Sequence, residues 1–217
     1  MKRRQEIEVK IDKLAFGGRG LAKVKDRVVF VDGGIPGDRA VVRISKIKSN
    51  YAEARIKELL EPSGLRQPAP CAHFGDCGGC KWQNLDYDHQ LEFKKEQVVE
   101  SLEHIGGLLP EIVHHTLPSP LVYGYRNKTE FSFTHNRWLV AEELNNPEIE
   151  KGFALGYHVP GAFDRVMHIE KCWLQDDTMN AILNFSQQYF EESGLSVFDL
   201  RSHVGQLRFL VLRKSFT

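Results

Sequence analysis

Cysteine is scarce in this sequence and long apolar runs are absent. Four cysteines in 217 residues are too few for the dense disulfide framework that holds small secreted domains together. No stretch approaches the roughly 18 consecutive apolar residues that a membrane-spanning helix requires. The opening MKRRQEIEVK is basic and lacks the apolar core of a secretory signal. A cytoplasmic chain with no membrane partner is expected. With 41% hydrophobic and 27% charged residues, the composition is that of a globular protein of one or two domains.

Net charge is missing as well, since 29 basic residues balance 29 acidic ones, but the balance is not local. Residues 1–60 carry 15 Lys and Arg against 8 Asp and Glu. A basic module of this kind suits a polyanion such as nucleic acid, through phosphate contacts and counterion release. A merely solvated basic surface accounts for the charge equally well.

The same module has strand patterning. EIEVKI alternates Ile7, Val9 and Ile11 with charges, VVFV is a short buried run, and RAVVRISKIK and AEARIKELL complete about five strands. Gly17, Gly18, Gly20, Lys25–Asp26 and GGIPGD supply the turns. The pattern predicts an OB-like barrel over residues 1–61, whose open face binds single-stranded nucleic acid on basic and aromatic residues. Phe16, Arg19, Lys23 and Phe30 are the candidates there, although an aromatic in such a barrel is more often core. LEPSGLRQPAP, with three prolines, reads as a linker over 62–70.

The cysteines follow at once. Cys71 and Cys77 are separated by five residues, Cys77 and Cys80 by two, and Cys80 and Cys172 by 91. Structural zinc usually takes two close pairs, and here one pair is missing. A loop of three cysteines with one remote partner suits a [4Fe-4S] cluster, which needs four thiolates. Zinc and unligated core cysteines stay open as alternatives. None of the histidines, His73, His114, His115, His158 and His168 among them, makes a metal-binding spacing.

The remainder mixes helices and strands, so residues 71–217 are expected to form an α/β or α+β domain. A helix is predicted over LDYDHQLEFKKEQVVESLEHIGG, capped by Asp86 or Asp88 and ended by Gly106, with Leu91, Val98, Leu102 and Ile105 on one face, beside the cysteine loop. A second helix, DDTMNAILNFSQQYFEESG, stopping at Gly194, places Met179, Ile182, Leu183 and Phe190 on a core stripe. TEFSFTH reads as a half-buried strand and QLRFLVLR as an interior one. Ahead of the first strand, Arg126, Asn127 and Lys128 offer a guanidinium, an amide and an ammonium suited to a phosphate and a splayed base. A solvated turn is the plain alternative.

Taken together, CAHFGDCGGCKWQNLDYDHQLEFKKEQV, YGYRNKTEFSF, LGYHVPGAFDRVMHIEKCWLQ and GQLRFLVLR resemble the S-adenosylmethionine-dependent RNA uracil-5-methyltransferases that carry an iron-sulfur cluster. The resemblance implies an N-terminal OB-fold TRAM domain and a central cluster-bearing domain, with Cys71, Cys77, Cys80 and Cys172 as cluster ligands. It implies RNA, ribosomal or transfer, as partner; because a paired base would have to be flipped out, a loop or single-stranded region is the expected target, and a monomer is expected.

Methylating carbon 5 of uracil requires a thiolate that adds to carbon 6 and a base that removes the carbon 5 proton. With all four cysteines assigned to the cluster, no nucleophile remains. No strand runs into a glycine-rich turn and helix that would hold the methyl donor. The expectation is therefore an RNA-binding, cluster-bearing portion, inactive alone, with the C-terminal Rossmann-like methyltransferase domain missing. A metal-stapled RNA-binding module without catalysis and a small electron carrier are the alternatives from other classes.

Overall fold

Along the first sixty residues, small and β-branched side chains alternate with charges, and period-two alternation puts one set on each face of a strand. Val9, Ala22, Val29, Val31, Ala40, Val42, Ile44, Ala52 and Ala54 are all buried as a result. In the computed structural model, which describes residues 1–109, 111–140, 143–144, 146–149, 151–162 and 164–215, this region forms six strands. They are β1 (Glu6–Lys10), β2 (Lys13–Leu14), β3 (Gly20–Val24), β4 (Arg27–Asp32), β5 (Arg39–Ile47) and β6 (Tyr51–Glu61), in the sheet order β1-β5-β6-β4-β3-β2. The two ends of that order, β1 and β2, are successive pieces of one stretch of chain. The sheet therefore closes on itself as a barrel, with β4 and β6 parallel and the other pairs antiparallel. Alanines and valines fill its narrow interior.

One end of the barrel is locked by Asp38, whose carboxylate is fully buried. It accepts from the backbone N–H groups of Ile35 (2.7 Å) and Ser63 (2.9 Å) and from the Arg66 guanidinium, twice, at 2.7 Å. Four donors on one carboxylate meet the condition for keeping a charge in the interior. They also fix the proline-rich stretch after β6, where the Ser63 hydroxyl donates to the Pro36 carbonyl and Gln67 N–H to the Asn84 carbonyl. Residues 62–67 are thus tied to the barrel rather than a loose linker.

The chain divides into two units, Met1–Ala69 with Lys81–Ser119, and Pro70–Cys80 with Pro120–Thr217. This differs from the expected continuous domain over 71–217, whose last two residues lie outside the described ones. Helix α1 (Tyr87–His104), capped by Asp86, belongs to the barrel's unit and not to that of the cysteine loop. Its expected apolar face is not used. No residue of α1 is buried, and Val98 and Ile105 are 50% and 86% exposed. The helix is held instead by Phe93 against Leu14, Ile35 and Leu85, by a Lys13–Glu100 ion pair at 2.5 Å and by Gln97 donating to the Ala15 carbonyl.

The second unit is built on β7 (Lys128–Thr134), β8 (Ala154–His158), β9 (Val166–His168) and β10 (Phe209–Arg213), in the order β10-β7-β8-β9 and antiparallel throughout. Phe131, Phe133, Leu155, Met167 and Ile169 meet Met179 and Leu183 of helix α2 (Asp177–Glu192) in its core. An antiparallel sheet with one packed helix is α+β, which corrects the α/β expectation. QLRFLVLR supplies an edge strand, not an interior one, with Phe209 and Val211 each 45% exposed. Of the predicted α2 stripe, Ile182 faces solvent. At Gly156 a Cβ would stand on the Met167 carbonyl, so only glycine lets β8 and β9 approach as they do. No helix among the described residues is long and apolar enough to cross a membrane.

Candidate metal centre and nucleic-acid face

The three cysteines of the loop and Cys172 fall in the second unit, and their charges act on one another. Burial pushes the Cys77 thiol up to about 11, and Cys172, Cys71 and Cys80 add to the rise while the Gly79 N–H opposes it. Cys71 is raised by burial first, with Cys80 and Cys172 contributing, and the N–H groups of His73 and Phe74 lower it. Cys172 is buried, the other three are half-buried, and none is disulfide-bonded. Gly78 lies at φ +71°, and a side chain there would run into Pro160, so the turn between Cys77 and Cys80 demands glycine twice over.

Aromatic rings and a buried amide frame these thiols. Tyr157 O–H lies 3.9 Å from the Cys172 sulfur, and burial, then the sulfur, holds its phenol well above the ordinary range. Tyr123 is raised by burial and by Cys80 and Cys71, and packs edge-on against Trp173 at 5.5 Å. Cys172 is positioned by Asn180 of α2, whose Oδ1 accepts from Cys172 N–H at 2.9 Å and from Gln175 Nε2 at 2.8 Å; the Thr129 hydroxyl donates to Gln175 Oε1. Sequence reasoning passed over Asn180. Its signal was an amide between Met179 and Leu183 on a core stripe, where a polar group must have a partner.

Among the described residues, no three His, Cys, Asp or Glu side chains converge on a point that would hold a single metal ion. A cubane makes a different demand, since each thiolate takes its own corner iron. Cys71 and Cys77, each raised first by burial and then by the charges of the other cysteines, share one unit with Cys80 and Cys172, and this arrangement suits such a group. A metal provides the positive charge that stabilises thiolates, and binding it releases their protons.

Arg126, Asn127 and Lys128 are all exposed. Their segment runs beside that of Cys172, with Gly124 N–H donating to the Trp173 carbonyl at 2.9 Å and Arg126 N–H to the Leu174 carbonyl at 2.8 Å. Arg126 Nε donates to the Lys128 carbonyl, and Lys128 pairs with Glu130 at 3.8 Å. In the barrel's unit, Lys23 is exposed on β3 and Arg19 reaches Asp32, Glu53 and the face of Phe30. Phe30 is half-buried against Tyr51, whereas Phe16 is 84% exposed, so Phe16 is not the core residue that its type suggests.

A family model described as TRAM domain matches residues 1–57. Over 206 residues, 94% of this chain, the sequence is 44% identical to an uncharacterized RNA methyltransferase of Bacteroides thetaiotaomicron. Over 213 residues, 96% of this chain, it is 40% identical to another from Chlorobaculum tepidum. These alignments take in 45% and 44% of those proteins, so the chain spans less than half the length of the curated relatives it matches. Among solved structures, Pyrococcus abyssi tRNA (uracil-54, C5)-methyltransferase in complex with S-adenosyl-L-homocysteine matches 95% of this chain and 42% of its own, with a TM-score of 0.60 and 26% identity.

These matches correct the fold expectation further. Ninety-five per cent of the chain superposes on a methyltransferase solved with S-adenosyl-L-homocysteine. That does not support describing this chain by a missing Rossmann-like domain, and the expected inactivity of the chain alone gains no support either. The chain carries a TRAM domain and is homologous, over nearly all its length, to proteins named as RNA methyltransferases.

Proposed function

We propose that this chain binds RNA and holds a [4Fe-4S] cluster on Cys71, Cys77, Cys80 and Cys172, serving transfer of a methyl group from S-adenosylmethionine to carbon 5 of a uridine in ribosomal or transfer RNA. What supports the reading is that the loop of Cys71, Cys77 and Cys80 shares a unit with Cys172, with Cys77 feeling the charge of the other three, and that the segment leading to Arg126–Lys128 donates backbone hydrogen bonds to the Trp173 and Leu174 carbonyls just after Cys172. The similarity to RNA methyltransferases and to a tRNA uracil-C5 methyltransferase supports the reaction class.

In this reading the cluster is structural. When bound it ties the loop 71–80 to Cys172, which orders the neighbouring strand entry at Arg126. Arg126 and Lys128 then contact phosphate and Asn127 a base edge, while Phe16, Arg19 and Lys23 on the TRAM domain supply stacking and further phosphate contacts. A paired target base has to leave its stack before methylation, so a loop is the favoured substrate. With the four thiolates engaged, none of them is the nucleophile that adds to carbon 6.

The test is RNA affinity with and without the centre. A fluorescent single-stranded uridine 12-mer should bind the wild-type chain with a steep salt dependence. Its affinity should fall several-fold in both Arg126→Ala and a Cys172→Ser variant that has lost its metal. Unchanged affinity and unchanged folding on metal loss would refute the docking role.

A further inference from the structure

The second unit contains a cavity of about 370 Å³ that neither the cysteine site nor the Arg126 segment uses. One wall is the end of β7 and its exit, with Ser132 and His135; His158 and Asp164 form a second; Phe198 and Arg208 form the third. Each wall is held in place. Ser132 Oγ and His158 Nε2 are 2.9 Å apart, His135 Nε2 accepts from Val197 N–H at 3.3 Å, and Phe198 N–H donates to the Leu207 carbonyl at 2.8 Å. The Asp199 carboxylate is occupied in the loop itself, accepting from Arg201 and Ser202 N–H.

Arg208 is the residue that gives the cavity a ligand class. Its guanidinium lies 4.7 Å from the centre of the Phe198 ring and 5.0 Å from that of Phe209, so the planar cation is stacked on aromatics and pre-ordered at an exposed rim. A stacked guanidinium with aromatic faces, next to a pocket offering a hydroxyl, two imidazoles and a carboxylate, matches a nucleotide. The phosphate meets the cation, the base meets a π-face, and the donors and acceptors meet its edge. The volume lies near the lower end of ligand pockets, about 300–1,000 Å³, which suits one nucleotide and excludes a duplex.

We propose that this cavity takes up one nucleotide of a single-stranded RNA, its base in the cavity and its phosphate at Arg208. The proposal rests on the RNA-binding reading above and adds a second point of contact on the unit that carries the cysteines. A free mononucleotide offers the same chemistry, so the experiment separates the two sources.

The metal-loaded chain is incubated with a single-stranded uridine 12-mer containing 4-thiouridine, irradiated, and the crosslinks are mapped by mass spectrometry. Affinities are measured in parallel for wild type, Arg208→Ala, Arg208→Lys and Arg213→Ala, the last removing the same charge at the far end of β10, outside the cavity. Crosslinks within residues 132–136 or 197–209 are expected. Arg208→Ala should weaken binding at least fivefold and remove those crosslinks, Arg208→Lys should keep the salt dependence with partial loss of affinity, and Arg213→Ala should change affinity less than twofold. Equal effects of Arg208→Ala and Arg213→Ala, or crosslinks confined to other residues, would overturn the proposal while leaving the RNA-binding reading intact. Failure of the wild-type chain to bind the 12-mer would overturn both. Uridine monophosphate binding the cavity as tightly as the 12-mer would replace the RNA strand by a mononucleotide and overturn this proposal alone.

Discussion

Asn180 grips Cys172 at both ends of that residue's backbone, accepting from its N–H at 2.9 Å and donating to its carbonyl at 3.2 Å. The remote cysteine is therefore placed by helix α2 whether or not a metal is present. Replacing Asn180 by Ala strands the Cys172 N–H and the Gln175 side-chain amide in a buried setting and leaves the Cys172 carbonyl with the Gln175 N–H at 3.4 Å, at about 1–3 kcal/mol for each group left unpaired. Asn180→Ala should destabilise the chain by about 2–4 kcal/mol in urea unfolding and lower its metal content. A loss below about 0.5 kcal/mol, the range of an ordinary surface change, would show that Cys172 is positioned by something else.

Phe16 separates stability from binding. At 84% exposure it contributes little burial, so Phe16→Ala should leave unfolding within about 0.5 kcal/mol of wild type. A base stacked on it is worth about 1–3 kcal/mol, so affinity for a single-stranded uridine 12-mer should drop fivefold or more. Unaltered affinity would remove Phe16 from the RNA face.

A pH effect is expected from Glu143. Two hydrogen bonds from Arg137, at 2.9 and 3.2 Å, hold its carboxyl below its ordinary value of 4.5, and the Val140 N–H at 3.0 Å and nearby His168 act in the same direction. Burial opposes them. Because the folded-state value is lowered, the stabilisation is fully present above the unfolded-state value and fades as pH falls through the folded one. The stability difference between wild type and Glu143→Gln should stay constant above about pH 5.5 and shrink below about pH 4. A difference that grows on acidification would contradict the assignment.

Much of the barrel was legible because its signal is local. Alternating Val, Ile and Ala, a Lys25–Asp26 reversal and glycine turns each act over a few residues. Helix α1 misled because Leu91, Val98, Leu102 and Ile105 have helical spacing, yet attachment comes from Phe93, Gln97 and Lys13–Glu100, contacts of long range that periodicity does not encode. QLRFLVLR misled because an apolar run is the same string at an edge as in the interior; neighbouring strands decide which. The unit boundaries were hidden for the same reason, since the loop 70–80 belongs with residues after 119 while the helix that follows it belongs with the barrel.

The central claim is that four cysteines hold one cluster. Iron, acid-labile sulfide and zinc should be measured on the chain purified without oxygen and on its Cys172→Ser variant. The account predicts about four iron and four sulfide per wild-type chain, with both lost in the variant. One zinc per chain with no sulfide, or iron and sulfide undiminished in Cys172→Ser, would contradict it.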